Sequence, residues 1–318
     1  MNNSTLRIIS RPITISHQSH ILLCVVRNES LRLPYLLSYY RKLGFDRFLF
    51  VDNGSTDGTT DFLLAQPDSA VLYTEDRFGA PPGAGLSWKN TILDQFCDGR
   101  WVLVADADEI LVWPDSERES IQTLTQRFDG SGAEVLFTLM LDMYSDKPFG
   151  EIGYKPGLNF VDCAPFFDRG PYVLLSAGPF PFRQIDGGVR ARLYRTFRVP
   201  SAAPVMSKVP LVKWRAGQRF IIAQHALLNP APLAPMQAAL LHFKMFDDLP
   251  LKCEVEVQRG EYYAQGREYE ALGMFIRNSP NRSFFDPAIS VRFQNTNQLR
   301  SMGLITPFGT PLPPVPGA

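Results

Sequence analysis

A mixed α/β fold on a mostly parallel sheet is what this sequence predicts, and three observations lead to it. Strand-like and helix-like segments alternate through the first half of the chain. The strand-like segments are continuous apolar runs, such as ILLCVV at 21–26, which is the pattern of strands covered on both faces. The chain has 318 residues, 45% apolar and 20% charged, enough to bury a large core.

Taken in order, 21–27 reads as the first strand, and 30–43 as a helix from the spacing of Leu33, Leu36, Leu37 and Tyr40. Residues 47–51 form a second strand, closed by the turn Asp52-Asn53-Gly54-Ser55-Thr56-Asp57-Gly58. A short helix to about Ala65 and a third strand at 70–74 follow. The segment 79–85 (GAPPGAG) is a loop, 86–96 a helix and 101–105 a fourth strand. Ser116-x-x-Glu119 has capping-box spacing and is expected to open a helix to about Phe128, with a further strand at 134–143. Residues 144–235 are rich in Pro, Gly and aromatics and read as irregular structure around a site, with periodic stretches only at 189–197 and 219–224. Helical patterns return at about 252–265 and 267–276, and the Pro-rich 306–318 is expected to be disordered. The resulting division is an N-terminal extension (1–19), an α/β half (20–145), a second half of the same domain (146–280) and a C-terminal extension (281–318).

Basic and acidic residues balance at 32 each, so bulk charge gives no case for nucleic acid. The balance is uneven along the chain: residues 1–130 carry 12 basic and 17 acidic side chains, and the remainder 20 and 15. An acidic half joined to a basic half suits a site that handles a metal and an anion together. Four scattered cysteines (Cys24, Cys97, Cys163, Cys253) without CxxC spacing point to a reduced, cytoplasmic protein with no thiolate metal site. The N-terminus lacks a signal-peptide apolar region, and the apolar runs are strand-sized, so contact with a membrane's inner face would be peripheral.

Chemistry concentrates in a few places. Asp106-Ala107-Asp108-Glu109 stands at the end of the fourth strand, where ligands of open α/β sheets bind. Three carboxylates so close repel one another, and a hard divalent cation, Mn²⁺ or Mg²⁺, relieves that repulsion while bridging a diphosphate. Asp52 sits at the tip of the second strand, as a turn residue or as an acceptor for a nucleobase or ribose. Arg27-Asn28-Glu29 ends the first strand, and Trp88-Lys89-Asn90 opens a helix after a Gly-rich loop, a place that favours phosphate. Between Arg183 and Arg219 nine basic residues face one acid, Asp186, and strand-like alternation would put Arg190 and Arg192 on one face.

The ordered runs CVVRNES, VDNGSTDGT, SWKN and VADADE resemble glycosyltransferase family 2 and its GT-A relatives, most of all the subgroup related to family 92. The resemblance covers about residues 20–145. It continues more weakly through Gly187-Gly188-Val189-Arg190, Ser207-Lys208 and Leu241-His242-Phe243-Lys244, and ends near 280. It implies a GT-A fold, a nucleoside diphosphate sugar donor (a UDP-sugar as first choice) and a glycan or other hydroxyl acceptor. Donor contacts would come from Arg27, Glu29, Asp52, Lys89, Asn90, Asp106, Lys208 and Lys244. Metal ligands would be Asp106, Asp108 and a later histidine, His242 first and His225 second. If 236–246 is extended, His242 and Lys244 share a face. An inverting enzyme needs a carboxylate base, for which Asp142, Asp186 and Glu109 are the candidates. A nucleotidyltransferase on a similar sheet, or a non-catalytic glycan- or nucleotide-binding protein, are the alternatives.

Overall fold

The computed structural model describes residues 6–177, 182–198 and 203–313. The chain begins β1 (Arg7–Ile8), β2 (Ile21–Val26), α1 (Leu33–Leu43), β3 (Arg47–Asp52), α2 (Thr59–Leu64), β4 (Ser69–Tyr73), α3 (Leu86–Phe96) and β5 (Trp101–Val104). It continues with β6 (Glu109–Val112), α4 (Ile121–Ser131), β7 (Val135–Asp142), α5 (Phe160–Cys163), β8 (Phe166–Asp168), β9 (Tyr172–Ala177), β10 (Phe182–Gly187) and α6 (Gly188–Thr196). The last third holds β11 (Ser207–Lys213), β12 (Phe220–Ile221), β13 (Ala226–Leu227), β14 (Leu233–His242), α7 (Leu249–Arg259), α8 (Tyr263–Asn278), β15 (Ser290–Arg292) and α9 (Thr296–Ser301).

Nine strands make one sheet in the order β1-β4-β3-β2-β5-β11-β7-β14-β6. Strands β2, β3, β4, β5, β7 and β14 run one way, and β1, β11 and β6 run against them. The fold is therefore mixed α/β on a mostly parallel sheet. Every residue of β5 and β7 is buried, as expected of strands covered on both faces. Because β11 and β6 are reversed, their first residues stand at the edge where the parallel strands end.

Several elements depart from the sequence reading. Helix α4 starts at Ile121 with Ser120 as its cap, whose side chain accepts from the Thr123 amide. Ser116 lies in the preceding turn, and the Glu119 carboxylate accepts from the Trp113 indole and from Arg127. The segment expected as a strand near 189–197 is the helix α6, so Arg190 and Arg192 diverge: Arg190 reaches Asp142 and Arg192 reaches Asp168. Within the stretch read as irregular, β11 is a central strand. Its Pro210 fits there because the register shifts between Lys208 and Leu211, a bulge that removes the need for a ladder donor. Of the Pro-rich tail, 306–313 is ordered: Thr306 bridges to Gln237 and Phe308 stacks on Phe128, while 314–318 lie outside the described residues. All four cysteines are free. Among the described residues no helix is long and apolar enough to cross a membrane.

Helix α1 takes Pro34 into its first turn, buries Leu33, Leu36, Leu37, Tyr40 and Leu43, and stops at Gly44 (φ 100°). Just before it stands Arg32, which is fully buried. Its guanidinium donates to both carboxylate oxygens of Asp248 (2.6 and 2.8 Å), to Glu29 (3.4 Å) and to the Lys244 carbonyl (3.4 Å). One side chain thus fastens the start of α1 to the end of β14 and the start of α7. Arg32→Ala should leave Glu29 and Asp248 with Lys252 alone as cation and cost about 3 kcal/mol of unfolding free energy, the low end for a broken buried pair because Lys252 remains and Asp248 keeps a quarter of its side chain exposed. Urea denaturation checks this, and a loss below about 1 kcal/mol would mean the cluster relaxes into water at little cost.

Candidate functional site

The chain runs from β2 to β3 and β4 on one side, then returns to place β5 on the other side of β2. Such a reversal opens a crevice beyond the carboxyl ends of the two strands that flank it. Arg27 follows β2 and Asp106 follows β5 at that point. The crevice has two lobes, of about 390 Å³ and about 100 Å³, which share Phe78, Asp106, His242, Lys244 and Tyr262.

The acidic triplet is built by a turn that reverses the chain from β5 into β6. Glu109 is fully buried; one carboxylate oxygen accepts from the Asp106 amide (3.0 Å) and the other from Lys208. Lys208 also donates to Asp106 (2.9 Å), so the first residues of antiparallel β11 supply the counter-charge. Burial raises the pKa of Asp106, but Lys208 and Lys89 outweigh it and bring it down to about 2. With both oxygens engaged, Glu109 is a structural carboxylate and is not available as a base.

Asp108 lies across from His242, with Oδ2 to Nε2 at 3.5 Å. The other ring nitrogen, Nδ1, donates to Asp142 (2.6 Å), whose two oxygens also take a bidentate pair from Arg190 (2.8 and 2.7 Å). The register explains the meeting: His242 is opposite Glu109 on one side and Asp142 on the other. Burial raises the Asp108 pKa and lowers that of His242, yet their mutual attraction wins, holding Asp108 well below the carboxylate range and His242 above its usual value. Asp142, despite a burial effect in the opposite direction, is held far down by Arg190 and His242. It orients the imidazole and cannot double as a base. Among the described residues no three His, Cys, Asp or Glu side chains converge as a ready-made metal cage. The Asp108 and His242 atoms, 3.5 Å apart, are near enough together that both would reach one divalent ion.

Three lysines line the larger lobe. Lys208 is paired as above, and Lys244 donates to Glu268 (2.9 Å) and lies over the Tyr269 ring. His242 ends β14, and Lys244, just beyond it, lines both lobes with it. Lys89 is only 2% exposed and its ammonium makes no hydrogen bond or ion pair among the described residues. Burial lowers its pKa, with the attraction of Asp106 opposing.

Other expected contacts are placed differently. Asp52 is fully buried and lines neither lobe; its oxygens accept from the Ser55 amide (2.9 Å) and the Thr60 hydroxyl, which holds the turn. Asn53, the next residue, does line the smaller lobe. Asn90 clamps the backbone of Phe220 through both ends of its amide, away from the crevice. Arg27 and Glu29 line the smaller lobe, with Arg27 donating to the Asn53 carbonyl and Glu29 accepting from Lys252 (2.7 Å). Asp186 lies on the β9–β10 hairpin and lines neither lobe, so it is not in reach as a base. His225 lines the larger lobe without contact to Asp108; its Nδ1 donates to the Ser207 carbonyl. The residues missed come from the α7–α8 turn, where Arg259 donates to Asn53 (3.2 Å), Glu261 accepts from the Phe78 amide (2.8 Å) and Tyr262 packs on Phe78. A polar Glu268 next to the buried Tyr269, Ala271 and Leu272 of α8 was the one available signal.

His225 is pushed down to about 4, first by burial and then by Lys208. A histidine whose folded pKa lies below its unfolded one loses stability as pH falls from the unfolded value of about 6.5 towards 4, because only the unfolded chain takes up the proton. Wild-type unfolding free energy should therefore drop across that window by up to about 3 kcal/mol from this group. The opposite shift of His242 offsets part of it, so the comparison with His225→Gln in urea titrations at pH 6.5, 5.5 and 4.5 isolates the effect. Identical slopes for the two proteins would reject it.

No protein-family model and no curated protein matches the chain. Among solved structures, HddC from Yersinia pseudotuberculosis aligns with 41% of this chain at 12% identity and a TM-score of 0.26, and this chain spans 60% of its length. UDP-glucose pyrophosphorylase from Acinetobacter baumannii aligns with 81% of this chain and 99% of its own, at 10% identity and a TM-score of 0.34. Overlap this slight leaves the side chains of the crevice as the ground for function.

Proposed function

We propose that the chain is a metal-assisted glycosyltransferase of GT-A type, moving a sugar from a nucleoside diphosphate sugar to a hydroxyl acceptor. One observation carries the reading: Asp108 and His242, 3.5 Å apart, line the crevice that opens from the switch point of the sheet and that also holds three lysines. It also accords with the resemblance of residues 20–145 to family 2 enzymes. Asp108 and His242 would hold Mn²⁺ or Mg²⁺, with Asp106 beside them. When bound, the ion supplies positive charge to the diphosphate as it departs. Asp142 fixes the imidazole by accepting from Nδ1, the arrangement that keeps a ligating histidine aimed. Lys89, whose ammonium is unpaired among the described residues, is placed to donate to phosphate oxygens. Arg27 and Asn53 edge the smaller lobe, on the nucleoside side, and the larger lobe takes the sugar and the acceptor. Of the carboxylates lining that larger lobe, Glu261 remains to take the acceptor's proton, since, against burial, Lys208 holds the Asp106 pKa down and Lys244 and Arg190 hold that of Glu268 down.

Nucleotidyl transfer on such a sheet calls for a loop after the first strand whose backbone N–H groups cradle phosphate. Here those of Asn28, Glu29 and Ser30 already donate to Ser55, Thr59 and Asp57. This favours sugar transfer over nucleotidyl transfer.

The test is a panel of nucleotide sugars with Mn²⁺, scored for released nucleoside diphosphate and, with added pyrophosphate, for nucleoside triphosphate. Diphosphate release is the expected product. Asp108→Asn should lower it roughly hundredfold or more, since a bound metal contributes several kcal/mol to the transition state, while the melting temperature changes little. Triphosphate formation would move the protein to the nucleotidyltransferases, and wild-type turnover by the variant in EDTA would remove the metal site.

A further inference from the structure

The turn between β12 and β13 is unusual for its sequence. Ile222 and Ala223 both hold positive φ (50° and 56°), a conformation that glycine and asparagine take readily and a β-branched residue almost never does. The turn is closed by the His225 amide donating to the Ile222 carbonyl, and the Gln224 carbonyl accepts from Val209 of β11. All four residues of the turn line the larger lobe. Strain of this kind persists only where the surroundings over-determine it. What the strain delivers to the lobe is a pair of side chains. Gln224 is 1% exposed and its amide nitrogen has no hydrogen-bond partner. The neighbouring imidazole donates Nδ1–H to the Ser207 carbonyl, which leaves Nε2 as a lone-pair acceptor.

We infer that Gln224 and His225 read the hydroxyls of the transferred sugar in the larger lobe, the amide donating to one oxygen and Nε2 accepting from a neighbouring hydroxyl. A donor and an acceptor side by side match a diol, in which each hydroxyl can play either part. They do not match a phosphate or carboxylate, which offers no proton to Nε2. The pKa of His225, held near 4, keeps the ring neutral and therefore able to accept at neutral pH. An unpartnered amide buried in the protein is costly when empty and selective when filled, because an analogue lacking the matching hydroxyl leaves it unpaired. The inference rests on the nucleotide-sugar reading above and adds to it which residues set the choice of sugar.

Calorimetry with Mn²⁺ separates the two. The titrants are UDP, GDP, UDP-glucose, UDP-galactose and GDP-mannose, against wild type, Gln224→Leu, Gln224→Glu, His225→Phe and His225→Gln. Wild type should bind one nucleotide sugar more tightly than its nucleoside diphosphate. Gln224→Leu and His225→Phe should each weaken that sugar nucleotide about tenfold, the measure of one hydrogen bond, and leave the diphosphate within about twofold. Gln224→Glu, nearly the same shape but without the donor, should match Gln224→Leu, which covers the case in which the leucine variant melts early. His225→Gln restores an acceptor and should recover part of the loss. If wild type binds neither UDP nor GDP, the nucleotide reading itself falls. If it binds them but no attached sugar adds affinity, or the variants weaken diphosphate and sugar nucleotide alike, the hydroxyl-reading pair is overturned while the nucleotide site stands.

Discussion

Charge compensation at one buried edge of the sheet governs the rest of this structure. Asp108, Glu109, Asp142 and Glu268 gather where the parallel strands end, with the partly exposed Asp106 beside them, and buried carboxylates this close require cations among them. Lys208, His242, Arg190 and Lys244 are those cations, and they come from separate places in the chain. The reversed strand β11 brings Lys208, β14 and the residues just after it bring His242 and Lys244, and α6 brings Arg190. Lys208 and His242 bind the later part of the chain to the acidic turn after β5, while Arg190 and Lys244 answer Asp142 and Glu268 within it.

The same arrangement explains which side chains are structural and which are open to a ligand. Lys208 is bracketed by Asp106 and Glu109, Arg190 by Asp142 and Glu268, and Arg32 by Asp248 and Glu29. A carboxylate with both oxygens engaged has no free lone pair turned to a substrate, which is why Glu109 and Asp142, plausible as bases from their positions in the sequence, are occupied. Orientation is what they supply. Asp142 sets the His242 ring, and Glu109 sets the turn that presents Asp106 and Asp108.

The parallel half of the sheet was legible because buried parallel strands write themselves as unbroken apolar runs, and the turn residues between them punctuate clearly. The acidic turn and the His242 segment were legible for a related reason, since polar residues closing apolar strands have few structural uses. What could not be read had conflicting local signals. VRARLYRTF alternates apolar and polar residues like a strand, yet Val189 and Leu193 are also one helical turn apart, and helix α6 is what tertiary contact selects. In β11 a central proline argues against any inner strand, and only the bulge makes it admissible. The α7–α8 turn carries Arg259, Glu261 and Tyr262 to the crevice by topology alone, and no spacing within the chain announces that.

Internal pairing also decides how a ligand can bind. Among the described residues, the crevice lysines other than Lys89 already face a carboxylate, so an incoming diphosphate would meet cations whose charge is largely answered. Breaking those pairs to rebind phosphate would strand buried carboxylates, at a cost comparable with what the phosphate contact returns. Under the proposed function, the affinity for diphosphate has to come from charge that the protein does not already neutralise. Lys89 supplies one such charge. A divalent ion at Asp108 and His242 would supply the rest, since it brings two positive charges to a position where the protein offers one carboxylate and one imidazole. Metal and diphosphate would then bind as partners, and the close internal matching of the remaining ions is what makes each dependent on the other.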